Sequence, residues 1–180
     1  MRFLMVSGSV RRGSTNVALL RTAQAQSGTV SVLYEGLTDL PHFNPDDDRI
    51  PLPVAVADLR RQVGEADAVL FSTPEYAGAL PGTFKNLLDW TIGGGELYEK
   101  PAAWVNVSAS PTGAADAYRS LRTVLTYATC RIAEEACVAI PVTRGHVGAD
   151  GLITDPVTVA AVAAMLASLS RFVMDQRTPG

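Results

Sequence analysis

Residues 8–16, GSVRRGSTN, form a loop near the start of the chain that is rich in glycine, hydroxyl and arginine side chains. The loop follows a short apolar run, FLMV at 3–6, and precedes residues with helical spacing that begin at Val17. A helix N-terminus offers free backbone N–H groups, and hydroxyl and guanidinium groups add further donors. This stretch therefore predicts an anion site of the kind that holds a phosphate group.

The rest of the chain repeats the order of strand, loop and helix. Short apolar or alternating runs predict strands at 2–7, 30–34, 68–71, 102–107 and 135–140. Helical spacing predicts helices at 14–26, 56–63, 83–90, 118–128 and 159–173, the first with Ser14 as its N-cap. Parallel strands need crossover helices, so this alternation predicts an α/β fold with a central parallel sheet covered on both faces. We expect one domain over residues 1–180.

Composition narrows the classes of function. The chain has 180 residues, 47% of them hydrophobic and 18% charged, with a net charge of −3, which is typical of a soluble globular protein. No basic cluster favours nucleic acid, and we expect no signal peptide, no membrane span and a cytoplasmic location. Cys130 and Cys137 are too far apart for a redox pair and are expected to be buried structural thiols. The acidic run at 46–48 is expected to be a solvated surface.

Three polar loops, at 8–16, 73–82 and 108–113, follow the first, third and fourth predicted strands. A strand order of 2-1-3-4-5 would bring them to one edge of the sheet, where ligands of such folds bind. The sequence thus predicts a single site built from these loops.

The first loop excludes two common phosphate sites. A P-loop needs a lysine where Ser14 stands, and a dinucleotide loop needs a glycine where Val10 stands. A monophosphate at one helix terminus remains, with five candidate ligands: Ser9, Arg11, Ser14, Thr15 and Asn16. An ordinary capped helix with a solvated arginine remains the alternative from this loop alone.

The second loop carries many residues that restrict or free the backbone. Pro74 and Pro81 fix φ, whereas Gly78 and Gly82 permit a close approach or a positive φ. Such a loop can present backbone N–H groups to a flat heterocycle beside Tyr76. Its composition alone indicates only a turn.

Together the motifs resemble those of a known family. Gly8-Ser9-x-Arg11-x-x-Ser14-x-Asn16, Pro74-Glu75-Tyr76 and Pro81-Gly82-x-x-Lys85-Asn86-x-x-Asp89-Trp90 are similar to the signatures of the NADPH-dependent FMN reductases. That family comprises flavodoxin-like quinone, azo and chromate reductases, and the resemblance spans at least residues 1–122. It implies a flavodoxin-like three-layer sandwich with a five-stranded parallel sheet in the order 2-1-3-4-5.

The resemblance also implies how FMN is held. The first motif would bind the phosphate through Ser9, Arg11, Ser14 and Asn16, with a backbone N–H from Thr15. The second would hold the isoalloxazine ring, mainly through main-chain groups, at Pro74, Glu75, Tyr76, Ala77 and Gly78. The loop after the fourth strand would border the flavin at Ser108 and Gly113.

The chain departs from the family pattern at three positions. Ala77 stands where the family usually has Asn, and Ala114 and Asp116 stand where it has a second glycine and an arginine. Asp116 is an acid where the family has a base. This leaves the choice between NADPH and NADH open, and it could also reflect altered contacts between subunits.

The implied activity is transfer of hydride from NADPH or NADH through bound FMN to a small acceptor such as a quinone, an azo compound or free flavin. The chemistry would take place at flavin N5, so we expect no catalytic side chain and no metal. His42 and His146 are expected to be surface or structural residues, and Glu75 to act through its backbone. Relatives form dimers or tetramers, so a homo-oligomer is expected. A flavodoxin-type electron carrier and a non-enzymatic flavin sensor remain alternatives.

Overall fold

A twisted parallel sheet forms the centre of the computed structural model, which describes residues 1–110 and 112–177. Its strands are β1 (Arg2–Ser7), β2 (Val30–Tyr34), β3 (Ala68–Ser72), β4 (Pro101–Asn106), β5 (Arg131–Ile132) and β6 (Val138–Ala139). The order is β2-β1-β3-β4-β5, and β6 also pairs with β4. All of these pairings are parallel. The predicted α/β fold and its strand order are confirmed.

The predicted fifth strand at 135–140 is wrong in its bounds. The chain pairs with the start of β4 through β5, leaves the sheet in a 3-10 turn at Glu134–Ala136, and returns to the end of β4 as β6. Arg122 holds Glu134 through two hydrogen bonds of 2.6 and 2.7 Å, while Ala136 is fully buried. These contacts stabilise the turn that interrupts the strand.

Five helices cover the two faces of the sheet: α1 (Thr15–Gln26), α2 (Val54–Glu65), α3 (Gly82–Trp90), α4 (Ala115–Tyr127) and α5 (Pro156–Arg177). Successive residues of β1 point to opposite faces, so Leu4 and Val6 pack with α2, α3 and α4, whereas Phe3 and Met5 pack with α1 and α5. The result is a three-layer sandwich with two apolar cores.

The last helix is unusually apolar. Its Pro156–Gln176 part is the one described helix that is long and apolar enough, by length and composition alone, to cross a membrane. The sequence predicted a helix at 159–173 and no membrane span. Val162, Leu169 and Val173 of this helix are buried in the core beside α1, and core helices pass the same test.

The segment between β2 and α2 is held against α3 by two side chains of the signature at 81–90. Asn86 Nδ2 and Trp90 Nε1 both donate to the carbonyl of Pro41, and Phe43 N–H donates to Asn86 Oδ1. The acidic run is only partly solvated, because Asp48 pairs with Arg60 at 2.8 Å and its side chain is 14% exposed. Asn86 and Trp90 therefore have structural partners.

Candidate functional site

A cavity of about 660 Å³ opens at the carboxyl edge of the sheet, where the three predicted loops meet. Ligand cavities for small molecules have volumes of about 300–1,000 Å³. The predicted residues that line it are Ser9, Arg11, Ser14, Thr15, Asn16, Pro74, Glu75, Tyr76 and Ser108. Other lining residues include Thr73, Asn106, Val107, Ala114 and Val142. The loops thus come together as expected at one edge.

The first loop (8–16) and the second loop (73–82) touch at Gly8. Gly8 N–H donates to the carbonyl of Ser72 at 2.8 Å. A Cβ atom at Gly8 would lie 2.3 Å from Thr73 Oγ1 and 2.9 Å from Phe84 Cδ1. A residue without a side chain is therefore required for the two loops to share one cavity.

The start of α1 leaves donors available for an anion. The first backbone bond of the helix runs from Ala18 N–H to Ser14 C=O, so the N–H groups of Thr15, Asn16 and Val17 have no partner within the helix. Ser14 occupies the N-cap position and is buried, but its side chain makes no capping bond. The prediction that Ser14 is the N-cap of α1 is confirmed, and because its side chain makes no capping bond these donors stay open.

Charge at the same end comes from Arg11. Its side chain is exposed at the cavity wall, and the described residues provide it with no ion pair. A guanidinium beside open N–H groups at a helix N-terminus suits a phosphate dianion. The guanidinium carries a positive charge, the helix N-terminus carries a partial positive charge, and both offer hydrogen-bond donors. The residues present therefore fit the phosphate of FMN.

Asn16 is oriented by a buried contact with the third strand. Ser72 Oγ lies 2.8 Å from Asn16 Oδ1 and 2.9 Å from the carbonyl of Val105. Because both partners are acceptors, the Ser72 hydroxyl donates to either of them. The contact turns Asn16 Oδ1 towards Ser72, and because Asn16 lines the cavity its Nδ2 group is available there as a donor.

Tyr118 of α4 connects the second loop to β4 through its hydroxyl group. Its hydroxyl donates to the Val105 carbonyl at 2.6 Å and accepts from Thr73 N–H at 3.1 Å. Burial raises the pKa of Tyr118 to about 12, so this hydroxyl keeps its proton and acts as a structural donor.

Ala77 and Gly78 form the tip of a tight turn and are not among the cavity residues. Tyr76 and Ala79 exchange two backbone hydrogen bonds of 3.0 and 3.1 Å around that tip. Ala77 has φ of 51° and Gly78 has φ of 72°, and both are exposed. The turn sets the direction of Tyr76, whose side chain is 52% exposed at the cavity mouth.

Glu75 has a side-chain function that the sequence analysis did not expect. Its Oε2 accepts hydrogen bonds from Asp116 N–H at 2.9 Å and Ala117 N–H at 3.0 Å, in the first turn of α4. The residue at the N-cap position, Ala114, has no polar side chain and adopts φ of 62°. Glu75 therefore caps α4 from the neighbouring loop, and the carboxylate faces the positive end of that helix.

The third loop, 108–113, is closed by Asn106; residue 111 lies outside the described residues. Asn106 Oδ1 accepts from Ser108 N–H and its Nδ2 donates to the carbonyl of Gly113, both at 2.9 Å. Gly113 does not line the cavity but lies behind Ser108, where a Cβ would be 1.9 Å from Ser108 Oγ. An Asn that ends a strand before a Ser/Gly loop is a turn signal, and it could have identified Asn106 from the sequence.

The sulfur and imidazole groups offer no second reactive centre. Both cysteines are half-buried, and burial raises the pKa of Cys130 to about 12 and of Cys137 to about 11. His42 is exposed and His146 half-buried, and neither is among the residues that line the cavity. Within the described part of the chain, no group of His, Cys, Asp and Glu could hold a metal ion.

Known proteins match both the sequence and this architecture. The model of the NADPH-dependent FMN reductase family matches residues 1–144. An NAD(P)H-dependent FMN reductase of Pseudomonas aeruginosa is 33% identical over 158 residues, covering 86% of this chain and 85% of the relative. A 2-hydroxy-1,4-benzoquinone reductase of a Burkholderia species is 28% identical over 185 residues, covering 98% of each chain.

A solved structure shows the same arrangement over nearly the whole chain. FerB of Paracoccus denitrificans, a flavoenzyme NAD(P)H:(acceptor) oxidoreductase, is 27% identical with a TM-score of 0.79 and covers 97% of both chains. These matches confirm the expected family, the flavodoxin-like fold, the oxidoreductase class and the use of FMN with NADPH or NADH. The chain therefore belongs to the NADPH-dependent FMN reductase family.

Proposed function

We propose that this FMN-dependent NAD(P)H oxidoreductase reduces small, flat acceptors, with quinones as the main class and azo compounds and free flavin as further members. The observation that carries the proposal is the cavity that joins the open N-terminus of α1 to the loop around Tyr76. Its mouth is open beside an exposed tyrosine, which suits stacking of a planar molecule. The relative from Burkholderia is named for a benzoquinone, which supports this class.

The phosphate end of the cavity would bind and orient FMN. In this proposal Arg11 supplies charge, Ser9 and Ser14 supply hydroxyls, and the N–H groups of Thr15 and Asn16 complete the phosphate shell. The N–H groups of Thr15 and Asn16 are fixed before binding by α1, and the Asn16 side chain by its contact with Ser72, so these donors need little ordering when the ligand enters.

The opposite end would hold the ring by backbone groups of residues 74–78, with Ser108 beside them and Gly113 supporting that loop. Bound FMN supplies the redox chemistry, accepting hydride from NAD(P)H and passing two electrons to the acceptor. The protein would position the two substrates in turn. Fixed backbone dipoles would stabilise charge at the ends of the flavin ring. Glu75 and Tyr118 are already engaged in structural hydrogen bonds, so neither is proposed as a proton donor.

Anaerobic spectroscopy tests the proposal. The purified chain, supplied with FMN, is expected to be yellow and to lose this colour when NADH or NADPH is added. A benzoquinone added next should restore the colour, with one quinone consumed per NAD(P)H. Bound FMN that neither nicotinamide bleaches would favour an electron carrier or sensor, and a bleached protein that the quinone cannot reoxidise would contradict the acceptor class.

Two further predictions stay proposals. A homodimer or homotetramer and a cytoplasmic location both rest on the family resemblance. Sedimentation velocity of the FMN-loaded protein is expected to give a single species larger than one chain, and a monomer would contradict the first. Fractionation of the source cells would test the second.

A further inference from the structure

A second, smaller cavity lies on the other side of the first loop, between that loop and the end of β2. Its volume is about 380 Å³. Ser9, Arg11 and Ser14 belong to both cavities, whereas Arg12, Arg21 and Glu35 line only the smaller one. Thr15, Asn16 and the second loop line only the larger one. The first loop thus separates two compartments.

The smaller cavity carries positive charge in a chain that is acidic overall. Arg12 and Arg21 outnumber its single glutamate even when the shared Arg11 is assigned to the larger cavity, against a net charge of −3 for the whole chain. Arg12 has no ion pair within the described residues. Arg21 pairs with Glu35 at 3.8 Å, with 49% and 75% of these side chains exposed, so that pair is weak and its arginine can turn to another anion.

The remaining wall is apolar. Leu33, Leu37 and Val147 line the cavity beside the arginines, and Leu37 is 7% exposed. Arg21 also lies next to Gly151, so the loop that carries Val147 forms the outer rim. A volume of about 380 Å³ exceeds what a phosphate ion alone would fill and lies at the lower end of the range of small-molecule sites.

We propose that this cavity binds a nucleoside phosphate, with the phosphate on Arg12 and Arg21 and the base or sugar against Leu33, Leu37 and Val147. Guanidinium groups match phosphate oxygens in geometry and charge, and the apolar wall accommodates a flat base. Such a ligand can be the adenosine end of the pyridine nucleotide or a separate free nucleotide. This cavity shares Ser9, Arg11 and Ser14 with the FMN cavity but its proposed ligand contacts, Arg12, Arg21, Leu33, Leu37 and Val147, lie outside it, and the first of these sources rests on the proposed function.

Calorimetric titration of the FMN-loaded protein with adenosine 2′,5′-bisphosphate tests the site. One saturable site is expected, with Arg12→Ala or Arg21→Ala weakening it at least about tenfold, the loss of one charge-assisted hydrogen bond. Arg49→Ala, which removes an exposed arginine of the segment before α2, is the matched control and should leave the affinity unchanged. Inorganic phosphate should bind more weakly than the bisphosphate, because it lacks the apolar contact.

Absence of saturable binding, equal affinity in the arginine variants, or release of FMN by the bisphosphate would each overturn the inference. Phosphate that binds as tightly as the bisphosphate would also overturn it, by showing an anion site without a base. FMN content is read independently from the visible spectrum. If the chain does not bind FMN, the proposed function fails, but the same titration can be carried out on the chain without FMN and still tests the smaller cavity.

Steady-state kinetics then separates the two sources. If the bisphosphate competes with NADPH, and Arg12→Ala raises the KM for NADPH but not for NADH, the cavity holds the adenosine end of the co-substrate. If it binds without competing, the cavity serves a separate nucleotide. Both results support the site and assign its ligand.

Discussion

The loops that form the two ends of the larger cavity turn the backbone in the same way but with different residues. At the phosphate end, residues 8–16, Gly13 takes φ of 66°. At the ring end, formed by residues 74–78, 106–110 and 112–117, Ala77 takes φ of 51° and Ala114 takes φ of 62°. A left-handed conformation costs a residue with a Cβ atom about 1–2 kcal/mol, and glycine almost nothing. The phosphate end is therefore relaxed and the ring end is strained.

Cross-loop hydrogen bonds offset that strain. Glu75 caps α4, Tyr118 holds Thr73, and Asn106 closes the third loop onto Gly113. The phosphate end depends instead on one helix terminus and one close contact at Gly8. The phosphate end is thus set by local backbone geometry, whereas the ring end depends on side chains brought from distant parts of the chain.

Removing the close contact at the phosphate end should have the largest effect. Gly8→Ala would place a Cβ 2.3 Å from Thr73 Oγ1, so the two loops must move apart. We expect a loss of about 1–3 kcal/mol in the free energy of unfolding, measured in urea, and weaker FMN binding. Gly64→Ala in α2, where a Cβ meets nothing within 4 Å, is the control and should not destabilise. Wild-type stability in Gly8→Ala would show that the loops are not held together there.

Charge at the phosphate end should matter for binding more than for stability. Arg11→Ala is expected to weaken FMN by about 2 kcal/mol, one charge-assisted contact, with the unfolding midpoint unchanged. Fluorescence titration of FMN measures the change, and Arg49→Ala provides the comparison. An unaltered dissociation constant would mean that the first loop is an ordinary helix start with a solvated arginine.

At the ring end, loss of the distant cap should lower stability. Glu75→Ala leaves the first N–H groups of α4 without their acceptor and is expected to cost about 0.5–2 kcal/mol. Glu75→Gln keeps an acceptor and should recover part of the loss. Urea unfolding measures both variants. Equal stability of Glu75→Ala and the wild type would mean that the cap does not hold the ring end.

The smallest effects should come from exchanging alanine and glycine between the two ends. Ala114→Gly and Ala77→Gly are each expected to stabilise by a few tenths to about 1 kcal/mol, since relief of strain exceeds the added freedom of the unfolded chain. Gly13→Ala, at a position with open space around it, should destabilise by a similar amount. Thermal unfolding of the three variants measures this. If the Ala→Gly variants at the ring end and Gly13→Ala at the phosphate end all changed stability with the same sign, the difference in backbone strain between the two ends would be contradicted.

Much of this architecture could be predicted from local patterns. The apolar runs located β1, β3 and β4, and the loops after them indicated one edge of the sheet as the site. Long-range partners were not predictable. Nothing in the sequence near Glu75 signals that its carboxylate caps a helix 41 residues away, or that Asn86 and Trp90 would hold Pro41. The interruption between β5 and β6 coincides with the Arg122–Glu134 contact, which hydrophobic periodicity does not record.

The positive φ values were likewise hidden by residue type. Alanine at positions 77 and 114 indicated ordinary backbone, although the family pattern of Asn and Gly at these positions was the available signal, since both residues tolerate the left-handed region. Both departures therefore place an alanine in the left-handed region, where it is strained.

Direct comparison of FMN with riboflavin tests the central claim, because the two ligands differ only in the phosphate. The residues around the start of α1 are predicted to make at least two charge-assisted contacts with that group, worth about 3 kcal/mol or more in total. Titrations followed by flavin fluorescence should therefore show FMN binding on the order of a hundredfold tighter than riboflavin. Equal affinity for the two flavins would contradict the assignment of residues 8–16 as the phosphate site.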